Sequence, residues 1–172
     1  MKQLILCVET NKKANIDSGY IDTAIKRIYH IDGNIKLQYV YFDGKGKSIT
    51  KKIVKEINKL KKALTSPHST EVIYFIDTDK YDSDFSTREL NEKIQLFCQN
   101  KGYKLVWFCR DVEEVFLHKT VDDSRKKEEV AKFNANNNLG MATIETLTVE
   151  KITRKKSNLL LVLDKLLDRK LR

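Results

Sequence analysis

Two short apolar runs that end in acid constrain this chain more than anything else in it: Leu4-Ile-Leu-Cys-Val-Glu9 and Ile73-Tyr-Phe-Ile-Asp77-Thr-Asp79. Neither run contains Gly or Pro, so each reads as a buried strand of a parallel sheet. Open α/β sheets place their ligands at the carboxyl ends of such strands, which is where Glu9, Asp77 and Asp79 fall. Three carboxylates converging there repel one another unless a cation sits among them. A hard, oxygen-seeking ion such as Mg²⁺ or Mn²⁺ suits that donor set.

The order of elements follows from periodicity. Strands are expected over Gln3–Val8, Ile35–Phe42, Val72–Ile76 and Lys104–Cys109. Helices fall between them. The first spans Ser18–Tyr29, the second is capped by Ser48 and carries Ile49, Ile53, Ile57, Leu60 and Leu64, and the third opens on a capping box at Ser86-Thr-Arg-Glu89. Pro67 marks the loop before the third strand, and Gly102 ends the third helix. This βαβαβαβ pattern predicts an α/β fold. Its four strands form a mostly parallel sheet of order 2-1-3-4, with helices on both faces. Strands one and three are then neighbours about 4.8 Å apart, close enough for Glu9 and Asp77 to share an ion.

Past the fourth strand, Arg110–His118 starts a short helix. The stretch 119–138 is polar and helical in its middle, and 139–149 is ambiguous between strand and helix. Ser157 is expected to cap a last amphipathic helix with Leu160, Leu163, Leu166 and Leu167. The chain of 172 residues reads as one domain, a core to about 118 and a C-terminal helical extension from about 119.

The acidic pair of motifs resembles the Toprim fold of topoisomerases, primases and several nucleases. That family carries a Glu at the end of its first strand and a D-x-D at the end of its third, the places of Glu9, Asp77 and Asp79 here. Thr10 stands where the family usually has Gly. Lys12 matches the basic residue often found just after the family's Glu. Asp111-Val-Glu-Glu114-Val-Phe-Leu and Lys156-Ser-Asn-Leu-Leu resemble segments of the phage-defence Toprim proteins, the overcoming-lysogenization-defect nucleases and the smaller RloB-like proteins.

The resemblance implies a Mg²⁺- or Mn²⁺-dependent nuclease that hydrolyses phosphodiester bonds in DNA or RNA, in phage defence, with an ATPase as a possible partner. Glu9, Asp77 and Asp79 would be catalytic and hold metal, and Glu113 would hold a second ion, its neighbour Glu114 remaining an alternative. Lys12, Lys13, Lys45 and Lys47 would contact phosphates. The other reading is a non-catalytic Toprim-like subunit that engages nucleic acid or a protein. Gly44-Lys-Gly-Lys47 lacks P-loop spacing and reads as a plain turn. Asp77 and Asp79 can likewise serve only to end a strand and cap a turn.

Charge fits a polyanionic partner. The chain carries a net +9, with eight lysines against Glu56 between Lys45 and Lys62 and eight basic residues against Asp164 and Asp168 from Lys151 onward. The same runs can be solvated helix faces. No apolar run spans a bilayer, and the N-terminal run is too short for a signal peptide. Cys7, Cys98 and Cys109 form no C-x-x-C pair and read as reduced, buried thiols of a cytoplasmic protein.

Overall fold

The computed structural model describes residues 1–64 and 69–170. Pro67 and His68 lie outside the described residues. Strands β1 (Lys2–Val8), β2 (Ile35–Tyr41), β3 (Ser69–Asp77) and β4 (Lys104–Phe108) form one parallel sheet in the order β2-β1-β3-β4. Pairing sets Cys7 opposite Tyr74 and Asp77 opposite Phe108, so the acidic ends of β1 and β3 lie side by side at the carboxyl rim.

The pleat divides the apolar side chains between two layers. Leu4, Leu6, Val8, Ile73 and Phe75 pack with helix α1 (Ile16–Ile28). Ile5, Cys7, Val72, Tyr74 and Ile76 pack with α2 (Lys51–Lys62) and α3 (Phe85–Lys101) on the other face. All three thiols are free and buried. Trp107 belongs to the second layer.

Beyond β4, helix α4 (Val112–Leu117) starts at the rim, and α5 (Lys126–Ala135) lies against α1. The ambiguous stretch resolves into a single turn, α6 (Ile144–Leu147). The C-terminal leucines do not form the long amphipathic helix that the spacing predicts. Helix α7 runs only over Leu159–Leu163, yet Leu160, Leu163, Leu166 and Leu167 are all buried in the α1-side core. Their periodicity reflects contact with that core and not helix length.

Ser157 is not a simple cap either. Its hydroxyl donates to the Trp107 carbonyl at 2.6 Å while accepting from Leu159 N. The segment around it bridges antiparallel to Phe108 and covers the outer edge of β4.

Two other caps also shift by a few residues. Helix α2 starts at Lys51 with Thr50 before it, while Ser48 is fully buried and its carbonyl accepts from the Tyr74 hydroxyl. Helix α3 is capped by Asp84, whose carboxylate accepts from Ser86 N at 3.0 Å. Gly102 ends that helix in the left-handed conformation, φ 66°.

Gly140 holds α4 in place. Its φ is +64°, and a Cβ there would stand 2.3 Å from the Phe116 carbonyl oxygen. That same carbonyl accepts from Met141 N at 2.8 Å, so the loop cannot simply back away. Gly140→Ala is expected to cost about 2–3 kcal/mol through left-handed strain and the clash, a fall in Tm of about 5–10 °C in a thermal melt.

Candidate functional site at the carboxyl rim

Six carboxylates converge at the carboxyl ends of the strands: Glu9 after β1, Asp17 in the first turn of α1, Asp77 and Asp79 at the end of β3, and Asp111 and Glu113 where α4 begins. Two lysines answer them, Lys45 from the loop after β2 and Lys126 from the first turn of α5.

Sheet parity separates the acids into two groups. Glu9 continues the parity of Ile5 and Cys7, which face α2 and α3, whereas Asp77 continues that of Ile73 and Phe75, which face α1. Glu9 Oε1 accepts from the Asp77 backbone N–H at 2.8 Å, so it seals the end of β3. The loop after β2 then brings Lys45 to the same place. Its ammonium donates to Asp79 Oδ2 and to the Asp77 carbonyl, and lies 3.7 Å from Glu9 Oε1. Only 8% of this side chain is exposed, unusual for a lysine in a loop.

On the other side the Asp77 carboxyl meets negative charge. Burial first, and then the charges of Asp17, Glu9, Glu113 and Asp111, hold it well above the usual carboxylate range. Burial pushes Asp17 up as well, against the Thr10 N–H that donates to it at 3.1 Å. Asp111 is raised by burial although its carboxylate caps α4 by accepting from Glu114 N at 2.6 Å.

Glu113 is 1% exposed, and neither of its carboxylate oxygens has a hydrogen-bond partner. Burial pushes it up to about 7, with Lys126 at 3.8 Å working the other way. Burial likewise carries Glu9 up to about 8 despite Lys45 and the Asp77 N–H. Lys126 is pulled down by burial, but the charges of Glu113, Asp111 and Asp77 outweigh that and leave it above the ordinary lysine range.

Glu113 and Glu114 differ in what surrounds them. Glu114 is held by Arg154, whose Nε and Nη2 donate to its Oε1 at 3.0 and 2.8 Å, so its charge is already matched. Glu113 is the one turned to the acids. Lys12 and Lys13 are exposed in the turn after Glu9. Lys47 is exposed and paired with Asp43 at 2.7 Å. Lys45 does not face solvent as a phosphate grip; the short 3₁₀ turn over Lys45–Lys47 folds it inward.

Strand parity and run composition do not point to Asp17, Asp111 or Lys126. The available signal for Asp17 and Asp111 is position: an acid at the start of each helix that follows a rim strand.

Backbone strain collects at the same rim. Asp43, Asp79 and Arg110, each two residues past the end of a strand, have φ of 57°, 49° and 65°. Left-handed conformations at non-glycine residues cost of order 1–3 kcal/mol and gather at functional sites. Among the described residues, no three His, Cys, Asp or Glu side chains stand together as a ready metal-holding group. No helix of the described residues is long and apolar enough to cross a membrane. Searches against family models, curated proteins and solved structures find no match to this chain.

Proposed function

We propose that this chain is a divalent-cation-dependent phosphodiester hydrolase acting on DNA or RNA, with its site at the carboxyl rim. The observation that carries the reading is the charge imbalance there. Six carboxylates meet two ammonium groups, and the buried Glu113 carboxylate has no hydrogen-bond partner for either oxygen, with Lys126 3.8 Å away. A buried acid without a hydrogen bond is costly, and a functional site is one place where native proteins retain such groups.

Oxygen donors suit Mg²⁺ or Mn²⁺. Glu9 and Asp79 on the Lys45 side and Asp77 with Glu113 on the other would each supply ligands, the second pair to a second ion, with Asp17 and Asp111 beside Asp77. When bound, such an ion supplies a water acidic enough to attack a phosphate and positive charge for the transferring oxygens. Glu9 would either complete the ion's shell or, where it does not touch the ion, hold or release a proton as a general acid or base, its carboxyl being pushed up to about 8 by burial. Lys12 and Lys13, exposed in the adjoining turn, would hold neighbouring phosphates. The Toprim likeness extends the proposal to a phage-defence setting and an ATPase partner.

The test is cleavage of plasmid, single-stranded DNA and transfer RNA with Mg²⁺ or Mn²⁺ and without either. Cutting that needs the ion is the expected result. A second reading has an observation of its own: Lys45 already balances Glu9 and Asp79, as it would in a non-catalytic binding subunit. Binding to nucleic acid that weakens steeply with salt, with no cutting under any metal, would establish that reading and remove the first.

A further inference from the structure

We infer that Lys45 holds the place of a cation between Glu9 and Asp79, and that a divalent ion and this ammonium exchange there when a nucleic-acid phosphate arrives to receive the ammonium. The inference rests on the proposed hydrolase site and deepens it by adding a positioning residue.

The ammonium of Lys45 lies within a cage of three oxygens from different parts of the rim: the Asp79 carboxylate, the Asp77 backbone carbonyl and, at 3.7 Å, the Glu9 carboxylate. This mixture of carboxylate and carbonyl oxygens is the kind of set that holds a hard divalent cation. The ammonium reaches it because Gly44, at φ 107°, turns the chain sharply and the 3₁₀ turn over Lys45–Lys47 points the side chain back over the sheet. The Gly44 N–H also donates to the Glu9 carbonyl at 2.9 Å, which ties the loop to the acid that it serves.

Asp79 is about half exposed, so one side of the cage opens to solvent, whereas Lys45 itself is covered. A flexible four-carbon stem anchored in a turn lets the ammonium leave by the Asp79 side without unfolding the loop. Two cations cannot share this cage, since their repulsion at such a separation is worth one or more powers of ten in affinity. The ion therefore binds weakly while the ammonium stays. It binds well once a phosphate outside the cage takes the ammonium over. Metal and polyanion then strengthen one another by the same factor, as linkage requires.

The experiment measures Mn²⁺ binding to the full chain by the electron paramagnetic resonance of free Mn²⁺, for the wild type, Lys45→Met and, as a control on the exposed face of α3, Lys93→Met. A non-cleavable phosphorothioate oligonucleotide is present or absent. Lys45→Met is expected to bind Mn²⁺ at least about ten-fold more tightly than the wild type without oligonucleotide, and to lose most of the tightening that the oligonucleotide produces. Lys93→Met should match the wild type. Adding Glu9→Gln to Lys45→Met should reverse the gain. Lys45→Gln, shorter and polar, serves if circular dichroism shows that Lys45→Met does not fold.

Equal or weaker Mn²⁺ binding by folded Lys45 variants overturns the inference, as does the absence of Mn²⁺ binding from every variant. Tighter binding by Lys45→Met with no nuclease activity in the wild type leaves the exchange standing and removes the hydrolase reading instead.

Discussion

Asp77→Asn is expected to lower metal-dependent cleavage by about a thousand-fold and, at the same time, to make the protein more stable near pH 8. Both effects have one cause. Burial and the charges of Asp17, Glu9, Glu113 and Asp111 hold the Asp77 carboxyl far above its ordinary range, so its ionised form is strained in the fold without a cation. An amide of the same shape removes that charge and with it part of the repulsion. The gain should be about 1 kcal/mol or more, a rise in Tm of about 2–4 °C, the usual relation between a strained site and stability. The backbone role survives, because the Asp77 N–H still donates to Glu9 and its carbonyl still accepts from Lys45. If Asp77 served only to end β3, the asparagine variant would cut as well as the parent. Asp43→Asn is the control: its carboxylate is exposed and paired with Lys47, so cleavage should not change.

The fold was legible because its core is built on repeated simple patterns. Continuous apolar runs gave β1 and β3, and three- and four-residue spacing gave α2. The alternation of elements with right-handed crossovers then left few orders other than 2-1-3-4. Caps were less legible. Ser48, Ser86 and Ser157 each sit where a cap belongs by composition, but Ser48 was needed in the core, Asp84 offered a stronger acceptor than Ser86, and Ser157 is spent on the edge of β4. The C-terminal leucines misled for a related reason: a three- or four-residue spacing reports one buried side, and a chain looping over a core has one as surely as a helix does.

Of the candidate site, the acids that end strands were legible, and its cations and the helix-borne acids Asp17 and Asp111 were not. Glu9, Asp77 and Asp79 announce themselves by ending strands. Which face each serves depends on register. Parity sends the Glu9 and Asp77 side chains to opposite layers, while the backbone N–H of Asp77 brings the Glu9 carboxylate back to the strand end. Lys45 belongs to a run of eight lysines and carries no mark that it alone turns inward. That depends on the 3₁₀ turn after Gly44, a matter of backbone that composition does not state. Lys126 and Asp17 enter through the packing of α5 on α1, a contact between elements distant in sequence.

The same trapped charge sets how stability responds to pH, and the direction is opposite to that of a protein held by paired carboxylates. Glu9 and Glu113 have folded-state values raised from 4.5 to about 8 and about 7. Between the unfolded and folded values, the folded state holds the proton more tightly than the unfolded chain. Stability is therefore full below about pH 4.5 and is lost as pH climbs through 7 for Glu113 and 8 for Glu9. The loss should total about 3–5 kcal/mol once the coupling between the two is allowed for, a fall in Tm of about 10 °C from pH 5 to pH 8.5. On the acid side, paired groups such as Asp164 beside Arg169 have lowered values and lose their contribution only below the ordinary carboxylate range. A maximum near pH 5 results. Glu113→Gln should erase the part of the fall that ends near pH 7 and leave the part that ends near 8, which assigns each portion to its residue. Added Mg²⁺ should raise the melting temperature at pH 8 and leave it unchanged at pH 5, where the acids hold protons. Melting temperatures that instead rose steadily from pH 5 to pH 8 would show that the rim acids are already matched by charge within the protein, and that no cation is wanted there.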